Sequence, residues 1–243
     1  MKIIAVLGSP TKNGNTCILA REVLRGAVDS GASVEEIFLA DYNIEYCRGC
    51  INKTEKHCMS EGQCIIKDDS NSIRNKLYEA DGIIFASPAY GIKETARMKN
   101  FLVDRIGMFT VYTSSLAEKY YVGVSTCGGI GANTVAKNLA KHFVGGFHKR
   151  GYLTGYIGVK VGLDKVESKN KEMQKAYRLG VKLAKDISNK KKYILQNLAD
   201  RVITKLLVRK IILKNIYQNK DTTMKAVYAN LVGRSLIKPC GSK

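Results

Sequence analysis

The sequence predicts a doubly wound α/β fold: a five-stranded parallel sheet in the order 2-1-3-4-5, followed by a C-terminal helical extension. Two observations carry this expectation. Residues 2–7 (K-I-I-A-V-L) and 81–87 (D-G-I-I-F-A-S) are apolar runs without polar alternation, as strands buried on both faces require. Segments of helical periodicity separate them at regular spacing, and parallel strands need such crossovers.

The elements follow in order. The strand at 2–7 stops at Gly8, and a helix over 15–30 opens after a loop rich in hydroxyls, glycine and asparagine. Residues 32–39 form the second strand, and 41–66 a long loop carrying cysteines. A helix over 69–79 leads to the strand at 81–87, which ends at Pro88. The spacing of Met98, Phe101, Leu102 and Ile106 makes 94–107 helical. Residues 120–126 form a fourth strand running into Cys127-Gly128-Gly129; then come a helix over 133–149, a fifth strand over 152–161 and a long basic helix over 165–192. The strand order is flavodoxin-like, and ligands of such sheets sit at the carboxyl ends of the strands, by the topological switch point. Loops 9–16, 88–93 and 126–131 should therefore meet at one crevice.

The first of these loops is the most informative. It joins a strand to a helix N-terminus, whose unpaired N–H groups and positive dipole end suit a phosphate. The patterns G-x-G-x-x-G and G-x-x-x-x-G-K-[ST] are both absent. A hydroxyl-rich loop with one lysine suits a terminal phosphomonoester; the alternative is a plain turn in which Thr16 caps the helix.

Composition narrows the class. No run of eighteen apolar residues occurs and the N-terminus enters a strand directly, so neither a membrane span nor a signal peptide is expected, and the cytoplasm is the expected compartment. Seven cysteines, an odd number, favour reactive, metal-binding or buried thiols over a disulfide scaffold. Residues 1–140 hold 16 Lys+Arg against 15 Asp+Glu, whereas 141–243 hold 24 against 6, so nearly all of the net charge of +19 lies in the second part.

Taken together, G-S-P-T-K-N-G-N-T (8–16), D-D (68–69), A-D-G-I-I-F-A-S-P-A-Y-G (80–91), M-K-N-F-L-V-D-R (98–105) and S-T-C-G-G (125–129) resemble the NADPH-dependent FMN reductase family, and within it the iron-sulfur flavoproteins. The resemblance covers about residues 1–185. It implies a flavodoxin-like domain over 1–189, binding FMN non-covalently, with residues 190–243 as a basic helical extension. Ser9, Pro10, Thr11, Lys12, Asn15 and Thr16 would hold the FMN phosphate, with Lys12 compensating for an arginine that the family often has where Thr11 stands. Pro88, Ala89, Tyr90 and Gly91 would lie along the ring and ribityl chain, and Thr126, Cys127, Gly128 and Gly129 along the ring's other edge. The family motif F-L-D-R stands here as F-L-V-D-R, one residue longer. No side-chain acid or base is required. Cys127 lines the cavity, since no histidine stands in a matching motif to activate it.

Cys47, Cys50, Cys58 and Cys64, in the loop 45–66, read C-x2-C-x7-C-x5-C. Four thiolates at this spacing suit a [4Fe–4S] cluster, a tetrahedral zinc, or free thiols that pair under oxidation. The iron-sulfur flavoproteins have C-x2-C-x2-C and then a fourth cysteine, so the middle gap here is five residues longer. In the extension, Leu195, Leu198, Val202, Leu206, Leu213 and Tyr217 fall on one side of a helix, flanked by Arg201, Lys205, Arg209 and Lys210. That side packs on the body or on a second copy, or lies on an anionic membrane; nucleic acid is not expected. The function expected is NAD(P)H-dependent reduction of flavin or another small acceptor through bound FMN, in a homodimer or homotetramer. The alternative is an iron-sulfur flavoprotein relaying electrons from a ferredoxin-like protein.

Overall fold

The computed structural model describes residues 1–196, 198, 202 and 204–240. Its centre is an all-parallel sheet in the order β2-β1-β3-β4-β5, formed by β1 (Lys2–Leu7), β2 (Ser33–Phe38), β3 (Gly82–Ala86), β4 (Tyr120–Cys127) and β5 (Tyr152–Lys160). The middle strands β1, β3 and β4 are buried along almost their whole length, while β2 and β5 keep exposed positions as edges. This is why the middle strands read as unbroken apolar runs and the edges do not.

One face of the sheet is covered by α1 (Asn15–Val28) and α7 (Asn170–Ser188), whose Leu19, Ala20, Val23, Ala176 and Leu183 pack on Ile3, Ala5 and Val122. The other face carries α3 (Ser70–Glu79), α4 (Ala96–Lys99), α5 (Gly107–Thr113) and α6 (Ala132–Lys141), with α2 (Cys58–Glu61) inside the cysteine loop. Helix α6 ends earlier than its periodicity suggested: after Lys141 the chain tightens, with His142 N–H donating to Leu139 O and Val144 N–H to Lys141 O, and Phe143 and Val144 stay buried ahead of Gly145-Gly146.

The helix expected over 94–107 is not continuous. After α4 the chain makes a π-helical turn over Asn100–Arg105, closed by Ile106 N–H donating to Phe101 O at 3.1 Å, and only then enters α5. A π turn holds one residue more than an α turn. Within it Phe101, Leu102 and Arg105 stay buried, and Val103 and Asp104 face outward.

In the extension, α8 (Arg209–Gln218) follows a π-helical turn at Thr204–Val208 and is itself followed by α9 (Lys225–Gly233). The residues that pack on the body are not those the spacing selected. Ile216, Met224, Val227 and Leu231 are buried against Met59 of α2 and Phe109 of α5, whereas Leu195, Leu198, Val202 and Leu206 are exposed. Arg234 secures the seat by donating to Thr113 O (2.7 Å) and Ser114 O (3.2 Å), the C-terminal carbonyls of α5. Arg201 and the side chain of Lys205 lie outside what the structure describes. Among the described residues, no helix is long and apolar enough to cross a membrane.

Candidate functional site

The loop after β1 folds back on its own hydroxyls. Ser9 Oγ donates to Thr11 O (3.0 Å) and accepts the Thr11 N–H (3.3 Å). Gly14 precedes α1 without a capping side chain, and the first turn of the helix holds no acid. A Cβ on Gly14 would stand 2.6 Å from Thr11 Oγ1 and 3.3 Å from Ser9 Oγ, so both hydroxyls lie close against the helix N-terminus. An uncapped positive end beside hydroxyls is suited to an anion. Thr16 does not cap the helix; its hydroxyl meets that of Thr126 at 2.6 Å in a buried contact, joining α1 to the end of β4.

Two residues predicted for the anion have other partners. The Asn15 side chain donates to Asp164 O (3.1 Å) and accepts the Val166 N–H (2.9 Å), fastening the connection between β5 and α7. Lys12 Nζ pairs with Asp41 at 2.6 Å and lies over the Phe38 ring.

The other two loops adjoin the first. Ala89 N–H donates to Thr126 O at 2.9 Å. Tyr90 and Lys93 exchange backbone hydrogen bonds (2.9 and 3.1 Å) around Gly91 and Ile92, with φ of 57° and 63°, which is a type I′ turn. A β-branched residue at positive φ is strained by about 1–3 kcal/mol, and such strain gathers at ligand sites. A Cβ on Gly131 would stand 3.0 Å from Ile92 Cα, so the loop after β4 closes on this turn. Pro88, Thr126 and Cys127 are buried, while Pro10, Tyr90, Gly91, Gly128 and Gly129 face solvent.

Thr95 was not selected by the sequence reasoning, yet it holds two loops together. Its Oγ1 donates to Gly8 O (2.7 Å) and accepts the Met98 N–H (3.3 Å), and its N–H donates to Ser87 Oγ (2.9 Å). The available signal was a threonine directly before the periodic residues of a helix, as an N-cap stands.

The cysteine loop begins at the same end of the sheet and is pinned at both ends. Asn43 and Glu45 donate backbone N–H groups to Asp69 (2.8 Å) and Asp68 (2.9 Å). Asn71 clamps the backbone of Cys64 from both sides (3.2 and 2.8 Å). Arg105, delivered inward by the π turn, forms a fully buried ion pair with Asp68 and donates to Glu45 O, to Ser70 Oγ (3.1 Å) and to Cys64 Sγ (3.3 Å). The long gap between Cys50 and Cys58 is a closed excursion. A 3-10 turn at Cys50–Asn52 leads to Thr54, whose hydroxyl bonds both Cys50 O (3.3 Å) and Lys56 O (2.6 Å).

Burial pushes the Cys58 thiol up to about 11, and the nearby Cys50, Cys64 and Cys47 add to the shift, so the four sulfurs share one electrostatic neighbourhood. Among the described residues, no three His, Cys, Asp or Glu side chains stand in ligating geometry. The donor chemistry nonetheless fits a metal centre: four thiols, two of them accepting N–H···S bonds, from Arg105 at Cys64 and from Gly49 at Cys47 (3.5 Å).

Strand order and convergent loops define a flavodoxin-like protein with its ligand crevice at the carboxyl edge of the sheet. The family model "NADPH-dependent FMN reductase" matches residues 1–159. An iron-sulfur flavoprotein of Archaeoglobus fulgidus is 30% identical over 192 residues, spanning 78% of this chain and 82% of its own. One from Clostridioides difficile is 30% identical over 188 residues, with 73% and 78% covered. A flavone reductase structure superposes over the whole of both chains with a TM-score of 0.61 at 16% identity. An NADH:FMN oxidoreductase in its apo form reaches 0.53 at 16% identity over 82% of this chain and 98% of that one. The chain belongs to the NADPH-dependent FMN reductase family, in its iron-sulfur flavoprotein branch, and is an FMN-dependent oxidoreductase.

Thr16→Val is expected to leave the Thr126 hydroxyl unpaired and lower stability by about 1–2 kcal/mol. FMN affinity, read by quenching of flavin fluorescence, should fall roughly tenfold, because the bond fixes the N-terminus of α1.

Proposed function

We propose that the protein is an electron-relay flavoprotein: FMN in the carboxyl-edge crevice and an iron–sulfur cluster in the cysteine loop, exchanging electrons with a redox partner protein. One observation carries this reading. Cys47, Cys50, Cys64 and Cys58 share one neighbourhood on the same edge of the sheet as the FMN loops, and Arg105 reaches into it from the helix that follows the loop after β3. The names of the relatives in Archaeoglobus and Clostridioides support it.

In this reading the hydroxyls of Ser9 and Thr11 and the N–H groups of Asn15 and Thr16 hold the FMN phosphate. The Pro88–Gly91 and Thr126–Gly129 backbones grip the ring, and Tyr90 covers it. Cys47, Cys50, Cys58 and Cys64 would hold the cluster, and the Arg105 guanidinium hydrogen bond to Cys64 would raise its reduction potential. When bound, the flavin supplies one- and two-electron chemistry. Exposed Tyr90, Ile130 and Leu163 at the rim support a homo-oligomer closing over the crevice.

Anaerobic purification followed by a visible spectrum and by iron and sulfide assays tests the reading. Flavin bands over broad thiolate-to-iron absorbance, with about four irons per chain, are expected. Flavin without iron, together with steady NADPH oxidation, would instead establish the second reading, a nicotinamide-dependent FMN reductase, which the family's description favours.

A further inference from the structure

The C-terminal extension has two unlike parts. Its later part is seated on α2 and α5 through Ile216, Met224, Val227 and Leu231. The stretch that precedes this seat leaves Leu195, Leu198, Val202, Leu206, Leu207 and Ile211 between 48% and 80% exposed. Six large aliphatic side chains within seventeen residues make a patch that soluble surfaces avoid unless something covers it. The same stretch is basic. From 190 to 214 the sequence carries Lys190, Lys191, Lys192, Arg201, Lys205, Arg209, Lys210 and Lys214 against the one acid Asp200.

Beside this stretch, between the extension and residues 141–152, lies a cavity of about 750 Å³. Leu198 and Val202 line it together with Lys141, His148, Lys149, Arg150 and Arg209. Glu118, also in the lining, is paired with Lys149 at 2.7 Å. Both ring nitrogens of His148, and Nε of Arg209, are buried there with no hydrogen-bond partner. Buried polar atoms without partners, in a cavity rich in cations, fit an anionic oxygen ligand.

We propose that this surface docks the protein on an anionic phospholipid bilayer. The six aliphatic residues enter the interface and a headgroup phosphate enters the basic cavity. Charge decides among possible occupants. A second copy would bring a like-charged face against this one, since residues 141–243 carry 24 Lys+Arg and 6 Asp+Glu. Nucleic acid would use the cations and leave the leucines in water. An anionic interface satisfies both, in the manner of a basic amphipathic segment lying flat on a membrane. No helix of the described residues is suited to crossing it.

The test is co-sedimentation of the full-length, flavin-loaded protein with vesicles of phosphatidylglycerol and phosphatidylcholine in equal parts, and with vesicles of phosphatidylcholine alone. Pelleting with the anionic vesicles only, reversed by high salt, is expected. The substitution Lys190→Gln/Lys191→Gln/Lys192→Gln, at three exposed residues, should weaken it roughly 100-fold. Leu206→Asp/Leu207→Asp/Ile211→Asp should abolish it with flavin content unchanged; if that variant fails to fold, the lysine variant decides. Equal pelleting with both vesicles, or none with either, overturns the proposal. Binding to RNA without vesicle binding, or self-association that the aspartate variant dissolves, would each overturn it too.

Discussion

Arg105→Leu is expected to lower the unfolding free energy by about 3–5 kcal/mol, because it strands a buried carboxylate rather than trimming a surface contact. The side chains of Asp68 and Arg105 are both fully buried, and the guanidinium also holds Glu45 O, Ser70 Oγ and Cys64 Sγ. One substitution therefore unfastens the cysteine loop at both ends. Urea titration reads the stability, and iron content measured on the same sample reads the loop. Arg105→Lys keeps the charge but not the planar fork, and should fall between the two.

The pH dependence follows from Asp68. Burial pushes its carboxyl up, but Arg105, the Ser70 hydroxyl and N–H, and the Glu45 N–H outweigh burial and hold it below the usual carboxylate range. A depressed carboxylate contributes stability in full above its unfolded value near 4 and loses it as pH falls through the lower folded value. Below about pH 4 the wild-type melting temperature should drop more steeply than that of Arg105→Leu. Parallel curves would show that the pair is not the titrating element.

Gly180→Ala should be nearly as damaging, at about 3 kcal/mol, by a different mechanism. A Cβ at Gly180 would stand 1.8 Å from Val23 O, and one at Gly26 would stand 2.0 Å from Tyr177 O. Helices α1 and α7 cross with their backbones in contact, and neither carbonyl can yield without moving its helix. Parting them tilts the N-terminus of α1, so FMN affinity should fall with stability. Gly26→Ala added to Gly180→Ala should cost less than the sum of the two, since one separation relieves both. Gly233→Ala, with nothing within 4 Å, is the neutral control.

The sheet and its order were legible because burial on two faces writes itself as apolar runs, as in Gly82–Ala86. The three loops were legible because their positions follow from topology. Less legible was anything set by tertiary partners. Asn15 stands in a phosphate-loop motif, yet its side chain is taken by Asp164 and Val166, some 150 residues away. The purpose of Asp68 and Arg105 emerges only when the π turn brings them together, since sequence spacing assumes 3.6 residues per turn. The extension was legible only in part, for a related reason. Periodicity finds an apolar face without saying what covers it: of the alternatives it leaves for Leu195 and Leu206, packing on the body is performed instead by Ile216 and Val227.

The seat of the extension on α2 also orders events during synthesis. Ile216 and Leu231, which bury Met59 and pack beside Cys58, leave the ribosome about 150 to 170 residues after Cys64. At roughly 5–20 residues per second, the cysteine loop stays uncovered for about 8–30 s on the nascent chain. Under the proposed reading, cluster assembly has that interval for unobstructed access to Cys58. In the finished protein Cys58 stands beside the extension while Cys47 stays exposed, so Cys58 should react with a thiol reagent more slowly after folding than on the nascent chain.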